Sequence, residues 1–240
     1  MRILVTNDDG IGAIGLKKLV SVALKYGEVT VVAPKIEQSA KSHAISVRTP
    51  FEFKKIEDIL PNVNTYYIDS TPADCVRVAY FYLKSDFDVV FSGVNSGYNL
   101  GEDITYSGTC AAATEGALLG KKGIAISTDF NTIDKIDDDL DAVLSYIFRN
   151  KILDVCNLLN VNIPYKHEGI SFARQGKTHY YSNYENKCGF ISSIGRPIVI
   201  KDEIINSDVD LIYNNKATIM PMVYNRTDES LLEMLINKNI

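Results

Sequence analysis

The first twelve residues, MRILVTNDDGIG (residues 1–12), place an apolar strand directly before two adjacent aspartates. Arg2–Thr6 is apolar without alternating polar positions, which is typical of a strand that is buried on both faces. Asp8 and Asp9 follow at the point where this strand ends. Two carboxylates roughly 4 Å apart in a partly buried place repel each other by about 4 kcal/mol. The pair therefore indicates a site for a cation.

Strand and helix patterns alternate over residues 1–150. A helix is predicted at Ile14–Tyr26, where Leu and Val recur at helical spacing, and a strand at Val29–Ala33 follows it. Later segments continue this pattern, with extended segments at Val47–Ile56, Thr65–Asp69, Asp88–Phe91 and Gly123–Ser127, and helices starting at Pro72 and spanning Cys110–Leu119 and Asp138–Asn150. Such an order predicts an α/β fold with a mainly parallel sheet and helices on both faces. Ligands of such sheets bind at the carboxyl ends of the strands.

The sequence changes in character after Pro164, where Tyr, Phe, Ile and Ser become frequent and helical periodicity is weak. Hairpin strands are predicted at His167–Arg174, Thr178–Glu185 and Gly189–Ile200, followed by a helix near Asp208–Tyr213, a strand at Ala217–Met222 and a helix at Glu229–Ile236. We therefore predict a core at residues 1–165 and a smaller, β-hairpin-rich C-terminal region with a terminal helix at residues 166–240. Aromatic hairpins outside the core favour pairing with another subunit.

Composition excludes several classes of partner. The formal net charge of −5 provides no basic surface for a nucleic-acid duplex. The four cysteines form no CxxC pair and have no zinc spacing, and no apolar run reaches the length that crosses a membrane. We therefore expect a cytoplasmic protein with a small-molecule substrate and no membrane partner.

Further oxygen ligands follow two other predicted strands. Ser39 comes after the second strand, in APKIEQSAKSH. Asn95 follows the strand that ends with FS, in GVNSGYNLG, whose recurring glycines predict a loop because glycine weakens strands and helices. The carboxyl ends of parallel strands meet at one edge of a sheet, so these side chains are expected to lie near Asp8 and Asp9. Two carboxylates, a hydroxyl and an amide oxygen suit one hard divalent ion per subunit, Mg²⁺ or Mn²⁺.

A helix that starts shortly after the segment GVNSGYNLG provides hydrogen-bond donors for an anion. Ser107, Gly108 and Thr109 lead into an alanine-rich helix, so backbone N–H groups and the positive end of the helix dipole face outward. The sequence therefore predicts a phosphate site at this position.

The motifs NDDG, APxxxxS with a downstream His, STPADCV, SGxNxGxNxG, YSGTxAAA, NVNIP and RQG occur in this order over most of the chain. This ordered set resembles the SurE family of survival-protein nucleotidases. The resemblance implies a Rossmann-like core and a metal-dependent phosphatase that acts on nucleoside 5′- and 3′-monophosphates. It also implies dimers or tetramers formed through a C-terminal hairpin.

The resemblance assigns roles to individual residues. It implies that Asp8, Asp9, Ser39 and Asn95 bind the metal ion. Phosphate contacts would fall on Asn99 and on Ser107, Gly108 and Thr109. The chain departs from the family at Ala40, where the family usually has Gly.

Three residues keep alternative interpretations. His43 is either a proton donor to the departing nucleoside, a partner of an aspartate or a packed residue. Tyr98 and Tyr106 either stack on a base or pack against the protein.

The expected reaction is in-line attack of an activated water on phosphorus, with Asp8 or Asp9 taking the proton of the water. A different hypothesis is a receiver-like signalling domain that binds Mg²⁺ and accepts a phosphoryl group on Asp69. A dinucleotide-binding dehydrogenase is excluded because NDDGIG lacks the GxGxxG fingerprint.

Overall fold

The computed structural model describes residues 1–181, 183–194, 196–198 and 204–238. The strands are β1 (Arg2–Thr6), β2 (Glu28–Pro34), β3 (Phe53–Ile56), β4 (Asn64–Ile68), β5 (Val89–Ser96), β6 (Lys122–Thr128), β7 (Leu158–Ile163), β8 (Ile170–Phe172), β9 (His179–Tyr181), β10 (Tyr184–Lys187), β11 (Phe190–Ser193), β12 (Arg196–Ile198) and β13 (Ala217–Pro221). The α-helices are α1 (Ile14–Ala23), α2 (Pro72–Arg77), α3 (Gly108–Leu118), α4 (Asp137–Arg149), α5 (Ile152–Val155), α6 (Asp208–Tyr213) and α7 (Glu229–Asn237). A π-helical turn at Val78–Tyr82 continues α2, and 3-10 turns lie at Gly101–Thr105 and Ile133–Lys135.

A nine-stranded sheet in the order β3-β4-β2-β1-β5-β6-β7-β13-β8 forms the centre of the molecule. The strands from β4 to β7 in this order are parallel, whereas β3 and β13 run antiparallel to β4 and β7. The prediction of an α/β fold with a mainly parallel sheet is thus confirmed. The strand β1 lies between β2 and β5, so the ends of these three strands are neighbours.

Side chains of β1 alternate between two cores because successive residues of a strand point to opposite faces. Ile3 and Val5 pack with Leu16 of α1 and with the apolar side of α4, and Leu4 packs on the other face with Val76 of α2. All five side chains are almost completely buried. Each such burial stabilises the fold by about 2 kcal/mol. Helices therefore cover both faces of the sheet, as predicted.

The strand predicted at Asp88–Phe91 is longer than expected, since β5 continues to Ser96. Gly93 and Asn95 were expected in a loop because glycine weakens strands. The pairing with β6 instead shifts register after Ser92 and resumes at Asn95, opposite Ser127. A Cβ on Gly93 would lie 2.2 Å from the carbonyl oxygen of Ile126, so this glycine allows the two strands to approach closely.

Two other predictions, one about an extended segment and one about a helix, were wrong in part. In the segment Val47–Ile56, β3 begins only at Phe53, and Val47 is mostly exposed. The helix predicted to end at Tyr26 ends at Ala23 and gives way to turns.

The C-terminal region both extends the main sheet and forms hairpins. β8 was predicted as a hairpin strand, but it pairs in parallel with β13, and β13 pairs with β7. The predicted hairpin strands Thr178–Glu185 and Gly189–Ile200 each divide in two, because β10 pairs with β11 and β9 pairs with β12. Residue 182 of the first prediction and residues 195 and 199–200 of the second lie outside the described residues. The division of the chain into a core at residues 1–165 and a C-terminal region at residues 166–240 remains a proposal.

Among the described residues, we find no helix that combines the length and the apolar character needed to cross a membrane.

Gly15 is predicted to be essential for packing α1 on the sheet. A Cβ at Gly15 would lie 2.0 Å from the carbonyl oxygen of Val94, whereas a Cβ at Gly12 would meet nothing within 4 Å. Gly15→Ala gains about 1 kcal/mol of helix propensity, but the added methyl group forces α1 away from the backbone at Val94. We therefore expect a net loss of about 2 kcal/mol in the free energy of unfolding. Gly12→Ala is the control, with a change below about 1 kcal/mol. Urea denaturation measures both, and equal stabilities of the two variants would contradict this packing.

Candidate functional site

A cleft of about 1050 Å³ opens at the carboxyl ends of β1, β2 and β5. Asp8 and Asp9 follow β1, Ser39 lies in the loop after β2, and Asn95 is near the end of β5. All four predicted metal ligands line this cleft. The structure therefore brings together, from three strand ends, the residues that the sequence singled out.

Asp8 is fixed by the start of α3. The Thr109 hydroxyl donates to Oδ1 of Asp8 at 2.5 Å, and the Thr109 N–H donates to Oδ2 at 3.2 Å. Burial raises the pKa of Asp8, although hydrogen bonds from Thr109 and from the Gly108 N–H partly offset this effect. Asp8 is 5% exposed, so its carboxylate has one fixed orientation at the base of the cleft.

Asp9 is less constrained than its neighbour. Its Oδ2 accepts the Ser96 N–H at 3.2 Å. Burial, and then the charges of Asp8 and Glu37, raise the pKa of Asp9 to about 6. The pair is thus a partly buried cluster of negative charge, and a cation in the cleft would relieve this repulsion.

Neutral oxygen donors stand beside the two carboxylates. The Ser39 hydroxyl donates to Oε1 of Glu37 at 2.6 Å, and Nδ2 of Asn95 donates to the Gly97 carbonyl at 2.7 Å. Because the nitrogen of Asn95 is committed to Gly97, its Oδ1 is the side-chain atom that can face a cation. Glu37 was missed by the sequence reasoning, although it lies only two residues before Ser39 in the same loop.

The donor set fits a hard divalent ion. The carboxylates that line the cleft are those of Asp8, Asp9, Glu37, Glu102 and Asp103, and the described lining includes neither Lys nor Arg. Within the described part of the chain no group of three or more His, Cys, Asp or Glu side chains is placed to hold a metal. Serine and asparagine oxygens would therefore have to complete the coordination, as expected for Mg²⁺ or Mn²⁺ rather than zinc.

The predicted phosphate donors are partly engaged inside the protein. The N–H groups of Gly108 and Thr109 are directed at Asp8, and the Ser107 hydroxyl caps α3 by accepting the Cys110 N–H at 3.0 Å. Ser107 itself lines the cleft. The start of α3 therefore orients Asp8 through hydrogen bonds. The spacing of these residues in the sequence did not predict this contact.

Asn99 also lines the cleft and is held by a buried amide network. Its Nδ2 donates to the Ser127 hydroxyl at 2.8 Å, and its N–H donates to Oδ1 of Asn162 at 2.9 Å. Its carbonyl accepts from the side chains of Asn160 and Asn162. These bonds fix the loop after β5 against β6 and β7.

His43 is placed against α3 and is not among the described residues that line the cleft. Its Nε2 lies 2.8 Å from Oε2 of Glu115, and the Arg77 guanidinium donates to Oε1 of the same carboxylate at 2.8 Å. Burial raises the pKa of Glu115, but the hydrogen bonds from His43 and Arg77 outweigh it and hold the pKa below its ordinary value. His43 thereby ties the loop that carries Ser39 to the body of the protein. Glu115 was not anticipated from the sequence.

The C-terminal region forms one wall of the cleft through Thr178. The Thr178 N–H donates to Oε2 of Glu102 at 2.5 Å, and the side chain of Gln175 donates to the Gly101 carbonyl at 2.9 Å. Buried Asp208 accepts the N–H of Gly101 at 3.0 Å and the N–H of Gly176 at 2.8 Å. Asp208 thus joins the two walls, a role that the sequence reasoning missed.

Comparisons with known proteins identify the family that this chain resembles. The family model described as survival protein SurE matches residues 3–182. A 5′-nucleotidase SurE of Clostridium beijerinckii is 36% identical, with 97% of this chain and 96% of that protein covered. A 5′-nucleotidase SurE of Clostridium botulinum (strain Loch Maree) is 38% identical, with 97% of each covered.

A solved structure shows the same fold. The crystal structure of the SurE protein from Aquifex aeolicus matches with a TM-score of 0.80 and 28% identity, and the match covers 100% of both chains. Together with the family model and the similarity to the Clostridium proteins, this match shows that the chain belongs to the survival protein SurE family.

Proposed function

We propose that this chain hydrolyses nucleoside 5′- and 3′-monophosphates to nucleoside and phosphate with one bound Mg²⁺ or Mn²⁺. The observation that carries the proposal is the convergence of Asp8, Asp9, Ser39 and Asn95 on one cleft. Hydrolysis of a phosphomonoester is supported by membership of the family, whose similar members are named 5′-nucleotidases. The proposal goes beyond the names of these relatives in two respects, namely action on 3′-monophosphates and Mg²⁺ or Mn²⁺ as the bound ion.

The four oxygen donors would hold the ion, and the protein supplies the rest of the site. When bound, such an ion would activate water and neutralise charge on the phosphate. Asp8 would serve as a fixed ligand, because both of its oxygens already accept hydrogen bonds from Thr109. Asp9 accepts one N–H at 3.2 Å, so it is the carboxylate of the pair that is better placed to take up a proton.

The start of α3 and the loop after β5 would position the phosphate. Ser107 and Asn99 line the cleft, so these two side chains are the proposed direct contacts. Gly108 and Thr109 would act through Asp8, since their N–H groups point to its carboxylate. The positive end of the α3 dipole would favour an anion at this position.

Asp8→Asn should abolish metal-dependent phosphate release, because the amide removes one of the two charges that hold the ion. We expect kcat/KM to fall at least about 100-fold, with the fold retained. The measurement is phosphate release from a panel of nucleoside monophosphates with Mn²⁺, with Mg²⁺ and with a chelator.

The matched control is Asp69→Asn, which changes the residue that a receiver-like domain would phosphorylate. Asp69 is exposed after β4 and is not among the described residues that line the cleft. We expect its substitution to leave phosphate release unchanged. Full activity of Asp8→Asn, or release by the wild type that does not require a metal ion, would refute the proposed reaction.

His43 remains a proposed proton donor to the departing nucleoside oxygen, and its contact with Glu115 offers a direct test. A donor must be protonated, so His43→Ala should remove the basic limb of the pH–rate profile, whereas Glu115→Gln should keep that limb. If His43 acts only as an anchor of the Ser39 loop, both variants should lower kcat/KM with an unchanged profile, and the role of proton donor would be refuted. The pH dependence of kcat/KM for the three proteins measures this difference.

Self-association through the C-terminal hairpin, as a dimer or a tetramer, is the second part of the proposal. It is supported by apolar side chains that lie exposed on the β10–β11 hairpin, with Phe190 at 79% and Ile191 at 69% exposure. The helix α7 buries none of its residues in the single chain, although Leu231 and Ile236 are apolar. Exposed apolar surface of this kind is typical of an interface.

Replacing Phe190 and Ile191 with Asp should convert the assembly to single chains of 26.7 kDa, because the charges cannot be buried at an interface. Light scattering measures the mass. A chain that ends at Asn225 is the comparison, since it removes α7 and keeps the hairpin. An unchanged mass of the hairpin variant would exclude the hairpin as the interface.

A further inference from the structure

The cleft has an apolar wall beside its carboxylates. This apolar wall consists of Ala13 and Ile14 at the start of α1 and of Phe130 and Ile133 after β6, all of which line the cleft. A Cβ added at Gly15 would lie 2.9 Å from Cδ1 of Ile133, so the two segments are in contact and the wall is continuous. The proposed chemistry at Asp8 and Asp9 makes no use of it.

Phe130 is the most exposed member of this wall. Its side chain is 72% exposed and that of Ile14 is 49% exposed, whereas Ile133 is buried. Tyr98 differs from them, because it packs against Leu100, Val209 and Ile212 and burial raises its pKa to about 12. Tyr106 also lines the cleft and is 61% exposed, but it adjoins Ser107, the proposed phosphate contact. The ring of Phe130 is therefore the aromatic surface of the apolar wall that a ligand can cover.

The loop that carries Phe130 is constrained by hydrogen bonds within the loop. Oδ1 of Asp129 accepts the N–H of Asn131 at 2.7 Å and its side-chain nitrogen at 3.1 Å. The Asp129 carbonyl accepts the N–H of Thr132 at 3.1 Å. A ring presented on such a loop loses little conformational entropy when a ligand binds.

The charges and size of the cleft identify the part of the substrate that matches the apolar wall. The described lining contains five carboxylates and neither Lys nor Arg, so it offers no side-chain cation for a second anionic group. A single phosphate would fill a small part of about 1050 Å³. The nucleobase is the large, uncharged and aromatic part of a mononucleotide, and it lies one sugar away from the phosphate.

We infer that Phe130, supported by Ile14 and Ile133, stacks on the base of the mononucleotide. This contact determines the preference for nucleoside monophosphates over phosphomonoesters that have no base. This inference rests on the proposed function. Stacking requires only a π-face, so purines and pyrimidines would both be accepted. Phe130 is a specificity-determining residue that acts on KM, because it lies outside the group of ligands that would carry out the chemistry.

The test compares Phe130→Ala with the wild type on two esters in the presence of Mn²⁺. For adenosine 5′-monophosphate we expect KM to rise about 10-fold with kcat unchanged, since loss of one base–aromatic stack weakens binding by about 5- to 150-fold. For glycerol 2-phosphate, which has no base, KM should not change. Phe130→Tyr should restore the KM for the nucleotide. Phe172→Ala is the control, because Phe172 is 55% exposed on β8 and is not among the described residues that line the cleft.

Several outcomes would overturn the inference. It is wrong if Phe130→Ala leaves the KM for the nucleotide unchanged, or if both esters are affected equally. It is also wrong if Phe130→Ala changes the mass in light scattering while KM stays constant, because a second chain would then cover the ring.

A measurement without phosphate or metal separates this inference from the proposed function. Saturation-transfer NMR with adenosine and the metal-free protein should show contact with the base protons in the wild type and loss of that contact in Phe130→Ala. If the wild type releases no phosphate from either ester, the proposed function is wrong, and the adenosine contact still decides the role of Phe130. Equal contact in both proteins would refute that role.

Discussion

A buried carboxylate is held in place by the first turn of a helix that lies 101 residues further along the chain. Burying the charge of Asp8 is costly unless hydrogen-bond donors compensate it. Thr109 supplies a hydroxyl and an N–H, and the positive end of α3 adds a favourable dipole. A Cβ on Gly108 would lie 2.9 Å from Cβ of Asp8, so glycine at this position allows the close approach. This contact fixes β1 relative to α3 and orients the first ligand of the site.

The order of the strands supplies the other ligands. β1 pairs in parallel with β2 on one side and with β5 on the other, so three strand ends open on one cleft. Ser39 and Asn95 reach the carboxylate pair for this reason, although they are far apart in sequence. The wall of the cleft that contains Thr178 also depends on carboxylates that accept backbone N–H groups. Asp208 and Glu102 join the C-terminal region to the loop after β5 in this way.

The sequence predicted the parts of the site that depend on strand ends. Asp8, Asp9, Ser39 and Asn95 were placed together because parallel strands share an edge, and in the structure all four line the cleft. The prediction for β5 was wrong in part, because Gly93 indicated a loop. In the structure this glycine lies within the strand and allows β5 and β6 to approach closely. The role of Glu115 could not be predicted, since its partner His43 is 72 residues away and the contact depends on tertiary packing.

Anomalous diffraction from a crystal soaked in Mn²⁺ tests the central claim most directly. We predict one anomalous peak per chain, in contact with carboxylate oxygens of Asp8 and Asp9, the Ser39 hydroxyl and Oδ1 of Asn95. Distances of roughly 2.0–2.2 Å are expected for a hard divalent ion with oxygen ligands. A peak elsewhere, or a cleft that stays without a peak at saturating Mn²⁺, would contradict the assignment of these four residues as one metal site.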